Sequence, residues 1–282
     1  MALVTVMWGS SWPIMKIGLT ALPPFTFRAS IVPASGILVL LAAAAAGQRV
    51  LLPGAAWPPL LISAFLNVTC WHVLTAYGLS QMDAGRAVIV AYTMPLWVAI
   101  LARLSGTETF DRRRAAALAL GLAGIGALLY PDWARLGAKP QGPLFMIAAA
   151  VTWAAGTLWQ KNVRQSAPLL TQTGWQLLAG GLPVAAGALI FDEASAMAWS
   201  PAIVALLAYL TLGPISFCYW AWYKVVALFP AQIAAIGMMM VPVIGVLSSI
   251  VVLGETFGVA DLAALVLVTA AIALVLTERR KA

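Results

Sequence analysis

The chain has 282 residues, 63% hydrophobic and only 9% charged, with a net charge of +7. A soluble domain carries about 25% charged residues, so this chain has too little polar surface to cover itself in water, and the bilayer is its expected solvent. The basic residues are scattered over loop ends with no aromatic platform beside a basic groove, which argues against nucleic acid as a partner.

A membrane-crossing helix needs about 20 mostly apolar residues. Walking the chain predicts ten such spans, at approximately 2–20, 28–46, 57–79, 84–104, 114–131, 142–162, 170–191, 201–227, 231–252 and 259–277. The first, "MALVTVMWGSSW", lacks the basic n-region of a signal peptide. It is read as a membrane helix that further native residues can precede. Breakers punctuate the connections: "LPP" at 22–24, "LLPGAAWPP" at 51–59, "AKPQGP" at 138–143 and "WSP" at 199–201. No linker is long enough to separate two domains, so residues 1–282 are expected to form one all-α transmembrane unit.

Basic residues concentrate on the cytoplasmic side of membrane proteins. With the N-terminus inside, eleven of the 16 Lys and Arg flank the inner span ends, Arg112, Arg113 and Arg114 among them. Lys16, Arg28, Arg86, Arg135 and Lys139 fall outside. Both termini are therefore expected in the cytoplasm, with the inner charges held at anionic lipid.

A repeat runs through the spans. "GTETF" at 106–110 returns as "GETF" at 254–257. At a shift of 147, Glu108 falls on Glu255, Phe110 on Phe257, Pro95 on Pro242, and Ala84 and Ala87 on Ala231 and Ala234. At a shift of 145, Trp8 falls on Trp153 and Lys16 on Lys161. Spans 1–5 thus correspond to spans 6–10, with the repeats at 1–137 and 138–282. Five is odd, so the second copy enters the membrane from the opposite side. Two inverted-topology five-helix repeats are the signature of transporters that enclose a central site. Glu108 and Glu255 stand beside Gly at span ends and are read as caps for the N–H groups of the following helix. Pro95 and Pro242 cannot donate a backbone hydrogen bond and should loosen spans 4 and 9, as fixed bends or as gating hinges.

Polar side chains inside spans are costly and face a cavity or a partner helix. Span 3 carries Asn67, Thr69, His72, Thr75 and Tyr77, beside Trp71. Thr69, His72 and Thr75, three apart, are expected on one face. His72 is the sharpest candidate, because neutral imidazole offers one donor and one acceptor. Trp153 lies mid-span among Ala154, Ala155 and Gly156, which leave room beside it. Tyr92, Gln176 and Tyr219 complete the candidate binding set. Trp8, Trp97 and Trp220 also lie deep, whereas Trp57 and Trp199 are placed as interfacial anchors. Gly237–Met240 is flexible apolar lining or plain packing. Small residues on spans 5 and 10 permit close approach, and with it a homodimer.

These residues give the chain a resemblance to the drug/metabolite transporter superfamily, and within it to the EamA-type exporters. Trp8-Gly9 and Lys16 in span 1, Arg28 at the start of span 2, Tyr77, the Ala84–Pro95 span, the turn at 106–108 and the copies Pro242 and Gly254-Glu255 carry it. His72 in "NVTCWHVLTAYG" and the wealth of aromatics add a likeness to YddG-type exporters of aromatic amino acids. The resemblance implies ten helices around a central cavity and export of amino acids or related metabolites across a bacterial inner membrane.

No cofactor or metal is expected. Cys70 and Cys218 lie in apolar runs and read as small hydrophobes, and a single His cannot build a usual zinc site. None of the nine acids falls mid-membrane, so carboxylate-based ion coupling is not expected. A membrane enzyme would need an activated nucleophile or a metal, and ATP-driven pumping a phosphate-binding loop. The sequence supplies neither. Export or facilitation of other small metabolites or drugs, a channel on the same fold, and a membrane receptor or structural protein remain the alternatives.

Overall fold

The computed structural model describes residues 2–106, 112–130, 141–163, 167–228 and 231–276, which form helices and, among them, no strand. Hydrocarbon offers no hydrogen bonds, so each crossing segment must satisfy its backbone internally, as a helix does. Ten helical passes result: span 1 Ala2–Ala21, span 2 Pro24–Ala45, span 3 57–80, span 4 84–104, span 5 Arg112–Leu129, span 6 Gln141–Asn162, span 7 Leu169–Phe191, span 8 201–228, span 9 Ala231–Leu253 and span 10 Val259–Leu276. Spans 2, 3, 4, 6, 7 and 8 are long and apolar enough to cross a bilayer on length and composition alone. Leu189, Val251 and Val259 stand 90%, 83% and 86% exposed on the outside. An apolar exterior of this kind fits contact with lipid.

Local chemistry sets the helix ends. Pro24 opens span 2 at a position where its missing N–H costs nothing. The span therefore starts four residues before the expected Arg28, which now lies inside the helix. Spans 4 and 9 both run out into glycines with left-handed φ, Gly106 at 70° and Gly254 at 66°. A side chain there would be strained, and glycine ends the helix without that cost.

The two prolines behave differently. Span 4 breaks at Tyr92–Thr93 into Ala84–Ala91 and Met94–Leu104, with Pro95 in the first turn of the second piece. The Thr93 hydroxyl bonds the Val90 carbonyl at 2.6 Å beside the break. Pro242, expected to loosen span 9 likewise, sits inside the continuous helix Ala231–Leu253. Spans 3 and 8 each contain a π-helical turn, Phe65–Cys70 and Thr211–Phe217. Such turns add a residue to the helix and re-aim the side chains that follow. Here they precede Trp71-His72 and Tyr219.

Span 2 lies along span 7, and span 5 along span 10. Span 1 lies along span 9, and span 6 along span 4. Exchanging the first five spans for the last five turns each of these pairs into itself or into another. A Cβ at Gly124 of span 5 would meet Val268 and the Ala264 carbonyl of span 10. This part of the small-residue stripe is thus engaged within the chain.

Candidate functional site

Aromatic side chains from spans 1 and 6 and the His72 ring of span 3 converge on Tyr219 of span 8. The rings of Trp71 and Trp153 are 4.8 Å apart. Tyr219 lies 6.2 Å from Trp153, 6.1 Å from Trp8 and 6.3 Å from His72, the last pair nearly parallel at 22°. The Tyr219 hydroxyl is 3.4 Å from His72 Nε2. His72 and Tyr219 are buried; Trp8, Trp71 and Trp153 pack against the core yet stay half-buried. Aromatic faces with a few polar atoms among them are the usual lining of a small-molecule site.

Neighbouring polar groups hold these rings in place. Trp8 Nε1 donates to the Pro214 carbonyl in the π turn of span 8 at 2.8 Å. Asn67 Nδ2 donates to the Trp153 carbonyl at 3.0 Å, and Asn67 Oδ1 accepts from Gln160 Nε2 at 3.3 Å. This needs glycine at 156, where a Cβ would overlap the Asn67 amide.

Of the expected set, His72, Trp71, Trp153 and Tyr219 come together, and Tyr92 is buried in the same core at the break in span 4. The other members have their contacts elsewhere. Tyr77 packs between Phe25 and Phe145, at 5.8 and 5.6 Å. Gln176 Nε2 reaches the Ser63 carbonyl at 3.5 Å. The continuous polar face expected along span 3 is divided: Thr69 donates to the Gly180 carbonyl of span 7 at 2.7 Å, while Thr75 donates to the Trp71 carbonyl at 2.6 Å and accepts from Arg28 Nη2 at 3.0 Å. The charge pattern places Arg28 at the outer end of span 2. It is instead 2% exposed, with its Nε on the His72 carbonyl at 3.1 Å. The available signal was an arginine four residues after a helix-starting proline.

One end of the bundle is cross-tied. Lys16 Nζ donates to the carbonyls of Leu79 and Met82 at 2.7 and 2.9 Å. Arg86 pairs with Asp261 at 2.8 Å. Glu255 accepts from the N–H groups of Ala84 and Gly85 at 2.7 and 2.9 Å. The expectation that Glu255 caps the helix following it is thereby corrected. It serves the start of span 4, in the other half of the chain, while Asp261 accepts from Gly258 N at 2.9 Å ahead of span 10. The reason is geometric: the loop after Gly254 folds towards span 4. Glu108 lies outside the described residues, as do the side chains of Gly237–Met239; Met240 is exposed.

Ten apolar passes around a central aromatic, hydrogen-bonding cluster define a multi-pass membrane transporter. The chain belongs to the EamA-like transporter family, whose model matches residues 1–130 and again 140–277. It is 25% identical over 282 residues to the uncharacterized transporter YvbV of Bacillus subtilis, covering 99% of this chain and 91% of that one. It is also 25% identical over 291 residues to a probable amino-acid metabolite efflux pump of Salmonella typhimurium, covering 95% and 90%. The uncharacterized inner membrane transporter YedA of Escherichia coli K12 is 26% identical over 196 residues, covering 67% and 60%. A solved crystal structure superposes with a TM-score of 0.69 at 20% identity over 97% of this chain and 94% of the other, a likeness of fold.

Proposed function

We propose that this transporter exports amino acids, aromatic ones foremost, and related small metabolites across a bacterial inner membrane by alternating access. The observation that carries the substrate class is the cluster of Trp8, Trp71, Trp153 and His72 gathered at Tyr219. Such walls stack on flat apolar bodies, and the imidazole supplies directional hydrogen bonds. The names of the Salmonella and E. coli relatives, amino-acid metabolite efflux and inner membrane, support substrate class and location.

The mechanism rests on two inverted repeats, 1–137 and 138–282. The double family match, the paired π turns and the exchanged packing partners support the duplication. With both termini cytoplasmic, the cross-tied end faces outward, so this conformer is closed to the outside. The break at Pro95 and the proline at 242 are then the gating positions of spans 4 and 9.

The described acids, Asp83, Asp192, Glu193, Glu255 and Asp261, all lie at or beyond span ends. Among the described residues no carboxylate stands at the depth of a coupling site, which supports transport in which either metabolite moves down its own gradient or His72 titrates. Purified protein in liposomes is expected to show saturable L-tryptophan counterflow without an imposed proton gradient, or a gradient dependence that His72→Ala removes. A strict gradient requirement with an unaffected His72→Ala variant would refute both forms. Tyr219→Phe removes the hydroxyl beside His72 Nε2. Leaving that nitrogen without its partner is expected to weaken L-tryptophan binding roughly fivefold in equilibrium dialysis; unchanged affinity would place His72 outside the substrate's reach.

A further inference from the structure

Among the described residues, Arg28 is a buried cation without an anion. It is 2% exposed, and it makes no ion pair among the described residues. Its Nε donates to the His72 carbonyl, its Nη2 to Thr75 Oγ1, and its Nη1 meets only the thioether of Met15, at 3.2 Å. A guanidinium carries five N–H groups and keeps its proton, and a thioether is a weak acceptor. The carboxylate of Asp192 is engaged by span 2 two residues earlier, accepting from Thr26 N at 2.6 Å. The guanidinium also lies over the Phe27 ring, 5.2 Å from its centroid. Burying a charge is expensive unless it is paired, and neither neutral acceptors nor a ring face supply the opposite charge, so the fold maintains a positive site here.

An independent observation points to the same place. His72 is 3% exposed, and its Nδ1 has no hydrogen-bond partner. The same residue gives its carbonyl to Arg28 and its Nε2 to the Tyr219 hydroxyl. A planar fork of N–H donors and a free imidazole nitrogen therefore adjoin one edge of the aromatic cluster. A carboxylate suits both: guanidinium and carboxylate match in bidentate geometry, and Nδ1 carries the N–H that can donate to it when Nε2 accepts from the Tyr219 hydroxyl.

We propose that Arg28, with His72 Nδ1, forms an anion subsite that takes the carboxylate of the transported molecule, while Trp8, Trp71, Trp153 and Tyr219 receive its apolar body. This rests on the reading of the cluster as the substrate site. It adds that the cargo must be a carboxylate: amines of the same shape are rejected because they leave the guanidinium buried and unmatched.

The test uses the purified full chain and four probes: L-phenylalanine, phenethylamine, L-leucine and isoamylamine. Equilibrium binding is measured on wild type, Arg28→Gln and Arg28→Lys. Wild type is expected to bind each amino acid on the order of tenfold or more tighter than its amine. Arg28→Gln should bring each pair to within about twofold, and Arg28→Lys should keep part of the preference, as a charge without the planar fork. Should Arg28→Gln fail to fold, Arg28→Lys and the wild-type series decide. Equal binding of acids and amines by wild type overturns the subsite. So does a preference that survives unchanged in a folded variant, or a loss that weakens all four probes alike, which marks a structural arginine. Phenylalanine and leucine binding equally well, with both amines rejected, sinks the aromatic preference and leaves the subsite standing. Binding of none of the four sinks both.

Discussion

Trp153→Ala is expected to weaken transport of aromatic substrates about tenfold while leaving the yield of folded protein nearly unchanged. A tryptophan buries 150–250 Å² when fully covered. If about 60 Å² of that area meets the substrate, its loss at about 25 cal/mol per Å² costs about 1.5 kcal/mol, close to a factor of ten in affinity. The folding cost is smaller than for a core tryptophan because the side chain is only half-buried. The hydrogen bonds at this position, from Asn67 Nδ2 and Thr157 Oγ1, both go to the backbone carbonyl, which alanine keeps. His72→Ala is expected to lower transport as well, since it removes the imidazole that stacks on Tyr219 in the same cluster. Both are read from initial efflux rates of L-tryptophan in proteoliposomes, normalised to protein incorporated. Wild-type rates in both variants would remove the cluster from the transport path.

The fold was legible because composition and spacing determine it. Apolar runs of membrane length, separated by Pro and Gly, leave helices as the natural solution, and the expected spans agree with the observed ones to within a few residues. Span 2 is the informative exception. The expected start at Arg28 took the charge as the boundary, whereas Pro24 sets it. That difference places a buried cation at an apparent span end. Lys16 and Arg86 were likewise counted by side of the membrane, although both are engaged with protein groups across the bundle.

The candidate site was legible only in part, for reasons of geometry. His72, Trp153 and Tyr219 could be singled out as polar or bulky groups within apolar spans. Which of them meet depends on how spans from both halves pack, and on the two π turns, which carry no clear sequence signal. Tyr77 stood out as strongly as Tyr219, yet its ring is taken by Phe25 and Phe145. The prolines show the same limit. Pro95 and Pro242 match in register, but only span 4 breaks, because a missing N–H loosens a helix without dictating whether its surroundings hold it together.

Glu255→Gln is expected to lower the melting temperature by about 2–4 °C and to speed hydrogen exchange at the amides of Ala84 and Gly85. The carboxylate presents one oxygen to each of two successive N–H groups, at 2.7 and 2.9 Å, with its negative charge at the positive end of a helix. Glutamine keeps the length but has one acceptor oxygen and no charge, so it satisfies one amide at most. The loss should be about 1 kcal/mol. Because the capped helix begins span 4 and the acid follows span 9, the substitution loosens a tie between halves rather than the end of one helix. Transport should respond through the population open at this end, with substrate affinity little changed. Abolished binding at normal stability would make Glu255 a substrate ligand, and unchanged exchange at 84 and 85 would remove it as a tie. The 147-residue offset carries Glu255 to Glu108 and Ala84 to Ala231. If the repeats are inverted and each acid fastens the opposite end, Glu108→Gln and Glu255→Gln should shift the protein towards opposite faces, and doing both should restore a balance that neither single variant has.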